Sequence, residues 1–145
     1  MSLLTSLSVA ASGMEVQRTR AELLVENLAN SETTRTAEGG PYRRKDAIFQ
    51  AESQGSAFSS IFQSELGGTS TGVSVAEIVQ DTRAPERRYM PGHPDADADG
   101  YVAFPRINPA EDMVDLLSAT RSYHANVAAM TAVKDMLNRS IDLLK

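Results

Sequence analysis

Three aspartates at alternate positions, Asp95, Asp97 and Asp99, followed by Gly100, form the stretch of this chain best suited to chemistry. Carboxylates at that spacing with a glycine at the sharp turn make the first half of an EF-hand loop, where hard oxygen ligands converge on calcium. The closing position, where a bidentate Glu would complete the shell, is Arg106, and Pro94 and Pro105 bar helices directly beside the loop. The sequence therefore predicts an acidic turn whose Asp side chains accept local backbone N–H groups, as in Asx-turns, ahead of a short strand. The competing reading is a calcium- or ligand-binding coiled-coil adapter that uses the loop from Asp95 to Gly100.

A second set of residues, Arg83, Arg87 and Arg88 beside Asp81 and Glu86, has the charges to position a phosphate or a carboxylate. Mixed charge on a proline-containing loop is ordinarily a solvated or interface surface, which is the reading preferred here. His93 and His124 are the only histidines, and neither a cysteine nor a nucleophile elbow nor a Gly-rich phosphate loop accompanies them. His124 next to Tyr123 reads as a packed polar residue. The expectation is a protein that is not an enzyme, with no catalytic residue, no metal site and no cofactor.

Composition narrows the classes further. A net charge of -5 with dispersed Lys and Arg offers no basic stripe to nucleic acid, and no apolar run is long enough for direct membrane insertion. Aromatic residues make up 6% of the chain and Trp is absent, so a large compact core is not expected and the chain reads as elongated. With no cysteine the redox compartment stays open. The first residues lack the basic region and cleavage site of a secretory signal peptide, so export would need another route.

Two long helices must carry this chain. Residues 108–145 open on Asn108 as cap, Pro109 at the first helical position and Glu111 placed for a capping box. From there Met113, Leu116, Thr120, Tyr123, Val127, Met130, Lys134, Leu137, Ile141 and Leu144 follow a three-four spacing, the a/d seam of a coiled coil. Leu117, Val133 and Met136 lie off that seam, and Ala125, Ala128, Ala129 and Ala132 line the back. Near the other terminus, residues 2–28 repeat the pattern with Leu3, Leu7, Ala10, Met14, Gln17, Ala21, Leu24 and Leu28, while Val9, Val16 and Leu23 form a second stripe and Gly13 sits mid-helix. The two helices are natural partners. Because each carries apolar residues on more than one face, both are expected to be frayed in a dilute subunit and to order on assembly, neighbouring subunits supplying the missing burial.

Between them the sequence predicts a small β-rich region at 31–107, with strands at 42–51, 72–81 and 100–104 and a mobile, Ser- and Gly-rich connector near 53–71 that contains Phe58, Ile61, Phe62 and Leu66. The fold class is α+β: terminal helices (1–30 and 108–145) pairing as a coiled-coil-like core for assembly, with the small β-rich domain inserted between them.

Three stretches then become recognisable. Ala11-Ser-Gly-Met-Glu-Val-Gln-Arg-Thr-Arg20 with Glu26-Asn-Leu-Ala-Asn30, Gly39-Gly-Pro-Tyr-Arg-Arg-Lys45 with the run from Tyr89 to Val102, and Ala119-Thr-Arg-Ser-Tyr-His-Ala-Asn-Val-Ala-Ala-Met130 together resemble the bacterial flagellar basal-body rod proteins. Pro105-Arg-Ile-Asn108 and residues 31–36 depart from the family pattern. The resemblance implies a structural subunit of the proximal rod, packed through its terminal helices with copies of itself and other flagellar rod proteins into a tube that transmits torque. It also implies passage through the flagellar type III export apparatus without a cleaved signal peptide, and residence in the rod across the periplasmic space.

Overall fold

The computed structural model describes residues 3–53 and 71–143. Residues 54–70, most of the expected mobile connector, and Leu144 lie outside the described residues. In chain order the elements are α1 (Leu3–Ala29), β1 (Lys45–Ser53), β2 (Thr71–Gln80), β3 (Glu86–Tyr89), β4 (Tyr101–Phe104) and α2 (Pro109–Asp142). The fold is α+β: two terminal helices in contact with each other and a small central β region.

Helix α2 starts where the caps place it. Asn108 is extended (φ -102°, ψ 103°), its Oδ1 accepts the Ala110 N–H at 3.2 Å, and Pro109 occupies the first turn, where no N–H is needed. Thirty-four residues make the helix about 51 Å long. Helix α1 runs against it with Gly13 under Asn126: a Cβ added to Gly13 would lie 2.9 Å from Asn126 Nδ2. That close approach is what the mid-helix glycine is for, and it offsets the roughly 1 kcal/mol lost relative to alanine.

The α2 seam is not the one the spacing suggested. Asp112, Ala119 and Val133 are buried and Leu116, Asn126, Met130 and Leu137 half-buried, whereas Met113, Thr120, Val127, Lys134 and Ile141 are exposed. The buried stripe keeps Leu116, Met130 and Leu137 from the expected seam and swaps its other flank, a turn of roughly 50° about the helix axis at 100° per residue. Two groups that only the fold brings in account for the choice. Asp112 must reach Arg44, and Asn126 must lie over Gly13.

The second stripe of α1 is covered within the subunit. β1 and β2 pair antiparallel from Lys45↔Gln80 to Ser53↔Thr71 and pack on α1. Ser12 Oγ accepts the Val73 N–H at 3.2 Å, and Asn27 bonds the backbone of Lys45. Val16 and Leu23 share the helical face of Ser12 and Asn27, and both are buried, at 3% and 8% exposure. A bulge between Ile48 and Phe49 leaves Ala76 extra on β2, so that Phe49 faces Val75 and Ala51 faces Val73.

Strand bounds differ from expectation at their ends. Residues 42–44 belong to the approach to β1, with the Tyr42 N–H on the Thr33 carbonyl and the Asp81 N–H on the Arg44 carbonyl. Gly100 stands outside β4 because it adopts φ +80° and closes the turn. The stretch read as a charged loop contains a strand: β3 pairs antiparallel with β4, Glu86↔Phe104 to Tyr89↔Tyr101. All four of its side chains are exposed, so it lacks the alternation that marks a half-buried strand. A small core forms where β4 runs into α2, from Val102, Phe104, Pro105 and Ile107.

Candidate assembly surface

The acidic turn shows what its carboxylates are used for. Asp97 Oδ1 accepts the N–H groups of Asp99 (3.0 Å) and Tyr101 (2.8 Å), and its other oxygen meets Arg87. Asp95 accepts Thr34 Oγ1 at 2.8 Å and faces Arg35 at 3.3 Å. The Tyr101 N–H, chiefly, then the Asp99 N–H and Arg87, hold the Asp97 carboxyl below its ordinary range. Among the described residues no group of three His, Cys, Asp or Glu is placed to hold a metal ion. The loop is an Asx-turn that ties β4 to residues 34–35.

The arginines divide. Arg87 stacks over Tyr101 (5.5 Å) and Arg88 over Phe104 (4.9 Å), so both are structural parts of the β3–β4 hairpin, with Arg88 pairing Glu86 at 3.0 Å and lowering that carboxyl. Arg83 pairs Asp81 at 2.6 Å, and its bonds are the main cause of an Asp81 carboxyl pulled down to about 2. His93 Nδ1 accepts the Asp95 N–H at 3.1 Å, while its ring sits 6.3 Å from Phe104. His124 is exposed beside Tyr123. These two histidines are brought to no common site.

At the base of the helix pair lie the polar groups that sequence reasoning missed. Asn27 is fully buried; its Nδ2 donates to the Lys45 carbonyl (2.8 Å) and its Oδ1 accepts the Lys45 N–H (2.9 Å) and the Tyr42 hydroxyl (3.1 Å). Lys45 Nζ pairs Glu26 at 2.5 Å. Burial, then Glu26, pushes the Tyr42 phenol up to about 12. Arg44 bonds buried Asp112 at 2.6 Å and also holds Asp46, while Arg20 reaches Asp115 at 3.4 Å. Burial raises the Asp112 carboxyl against the pull of Arg44. A polar side chain on an otherwise apolar helical stripe, such as Asn27 between Leu23 and Leu28, was the one available signal.

The residues expected to form an assembly interface fall into two groups. Val16, Leu23, Leu24 and Val133 are buried inside the subunit, and Leu7, Val9, Met14, Leu28, Leu116, Met130 and Leu137 are half-buried. Leu3, Met113, Leu117, Tyr123, Val127 and Ile141 are exposed, and Val114, Met136 and Leu143 join them. Exposed Ala125, Ala128, Ala129 and Ala132 lie among them, interspersed with exposed polar residues such as Arg121, His124, Lys134 and Asp135. Single exposed apolar residues are ordinary, but this many large ones on one helix make a surface suited to contact with another polypeptide. No helix among the described residues is long and apolar enough to cross a membrane.

Paired terminal helices with an uncovered apolar flank and a small peripheral β region define a structural, assembly-forming class of protein. Comparison with known proteins gives the family. The model for the flagellar basal body rod FlgEFG protein C-terminal region matches residues 98–143. Flagellar basal-body rod protein FlgC of Bacillus subtilis is 43% identical over 152 residues, covering 100% of both chains. The FlgC proteins of Borreliella burgdorferi (36% identical, 100% of this chain and 99% of the relative) and Salmonella typhimurium (35% identical, 99% and 98%) align over similar spans. The chain belongs to the FlgC family of flagellar basal-body rod proteins.

Proposed function

We propose that this protein is a structural subunit of the proximal rod, polymerising through its terminal helices with copies of itself and with other rod proteins into the axle that transmits torque. The observation that carries the reading is the set of large apolar side chains that α2 leaves exposed between Met113 and Ile141, in a chain whose full-length relatives are rod proteins. Head-to-tail contacts between identical subunits whose operation does not close build a helical tube, and large helical contacts stiffen it. In this reading residues 1–30 and 108–145 form the assembly domain and residues 31–107 lie peripheral to it. The task is mechanical, so the protein is not an enzyme.

The same reading places the subunit in the rod across the periplasmic space, delivered intact by the flagellar type III export apparatus. Mass spectrometry of purified basal bodies should recover a peptide beginning at Met1 or Ser2; a mature start inside α1 would overturn the route. Incorporation is tested by Leu117→Glu. Leu117 is 59% exposed, so folding and melting should be unchanged while the variant is lost from basal bodies. Normal incorporation of that variant would refute assembly through this face.

A further inference from the structure

Four arginines gather where three proline-containing segments meet. Pro41, Tyr42, Pro85 and Pro105 wall a recess of about 50 Å³, rimmed by Arg43, Arg44, Arg83 and Arg106 with Asp81 as the one acid. The space is far below the several hundred Å³ of a drug-sized ligand site and suits a single side-chain head group. Three proline rings and a buried tyrosine make its walls stiff, so a group entering it pays little ordering cost on the protein side.

The guanidinium groups are not equally engaged. Arg44 is committed to Asp46 and Asp112, Arg83 to Asp81, and Arg43 donates to the Asp81 carbonyl at 3.2 Å. Arg106 is exposed, and its side chain makes no hydrogen bond or ion pair among the described residues. The positive field there is felt by the neighbouring acids, since Arg106 helps to lower both the Asp81 and the Glu86 carboxyls. The four rim cations thus face three carboxylates, Asp46, Asp81 and Asp112, leaving positive charge in excess on the side of Arg43 and Arg106, in a chain of net charge -5.

We propose that this recess is a docking socket for a carboxylate side chain presented by another copy of this chain. Its aliphatic stem would lie on the proline and tyrosine walls and its carboxylate on Arg106 and Arg43. An acidic polypeptide supplies the complementary charge, and Arg106 is the rim cation with a free fork to receive a carboxylate in two-point fashion. The contact lies on the opposite kind of surface from the α2 flank, polar and point-like, and would set the angular register of neighbouring β regions once the helices have packed. The inference rests on the proposed self-assembly.

The test uses the full chain, with association followed by analytical ultracentrifugation over a concentration series at low and at moderate salt. Arg106→Glu should weaken self-association on the order of tenfold and Arg106→Lys much less, with the wild-type constant falling as salt rises. Far-UV circular dichroism and melting of Arg106→Glu should match wild type, because the side chain is exposed. Leu117→Glu is run beside them. Loss of association in Leu117→Glu alone, with Arg106→Glu unaffected, overturns the socket and leaves helical assembly standing. Association unaffected by either variant removes both. Binding of acetate to the wild-type recess without any change in association in Arg106→Glu also overturns the proposal, because the socket would then take free anions and not a second copy.

Discussion

Replacing Asn27 by leucine should strongly destabilise the subunit at the base of the helices. The side chain is 0% exposed and satisfies three groups at once: the Lys45 N–H, the Lys45 carbonyl and the Tyr42 hydroxyl. Leucine keeps the branched skeleton of side-chain heavy atoms but carries bulkier methyl groups, so overpacking adds to the loss of the bonds. A buried polar group left without a partner costs about 1–3 kcal/mol. Three such groups put the loss at roughly 3 kcal/mol or more, against a total stability of about 5–15 kcal/mol for a domain. Tyr42→Phe removes one bond while Asn27 Oδ1 keeps the Lys45 N–H, so it should cost only about 1 kcal/mol. The double variant should then be less destabilised than the sum of the two, since Asn27→Leu no longer strands a hydroxyl. Urea unfolding followed by circular dichroism at dilute concentration reads all three values. A loss below about 1 kcal/mol for Asn27→Leu, or strict additivity in the cycle, would refute the claim that this amide locks α1 to the start of β1.

Other measurements address separate parts of the structure. In an Asn126→Ala background, Gly13→Ala should raise stability by up to about 1 kcal/mol, because the atom 2.9 Å from the new Cβ is gone and helix propensity acts unopposed; a loss there would mean that backbone and not the Asn126 side chain limits the approach. Because the folded Tyr42 phenol lies at about 12, above its ordinary value of 10.0, its contribution is fully present below pH 10 and should be lost as pH rises toward 12, an alkaline slope that Tyr42→Phe should remove. Asp97, held low in the fold, contributes stability above the ordinary carboxylate range that is lost as pH falls below it; Asp97→Ala should loosen amide protection at Tyr101 and remove that acid dependence. Calorimetry with calcium chloride should find no binding tighter than about millimolar, and micromolar binding abolished by Asp97→Ala would reverse the reading of the loop. In hydrogen exchange on the dilute subunit, α1 should be better protected than the last turns of α2, since α1 is packed on both α2 and the β1–β2 hairpin; equal protection would count against this difference in cover.

The same experiment reads the expectation drawn from sequence, that residues 1–30 and 108–145 are largely disordered or frayed in a dilute subunit and order on assembly. The second apolar face of α1, expected to be covered by other subunits, is covered from within at Val16 and Leu23. Periodicity reports that a face is apolar and is silent on what lies against it. The same silence explains β3, whose pairing rests on backbone bonds to β4 and leaves its side chains in solvent.

What the amino-acid order determined by itself is everything governed by near neighbours. The Asn108 and Pro109 start of α2, the Asx-turn of Asp97, the break at Gly100 and the two long apolar periodicities all follow from groups within a few residues of one another. Tertiary structure alone decided which flank of α2 turns inward. Leu116, Met130 and Leu137 serve either seam, so the heptad pattern leaves two rotations open, and the choice falls to contacts between residues far apart in the chain: Arg44 with Asp112, Arg20 with Asp115, Gly13 with Asn126. Turning Asp112 and Asn126 inward puts Met113, Leu117, Val127 and Ile141 outside, and so which apolar side chains α2 leaves exposed is set by polar pairs that no local pattern could announce.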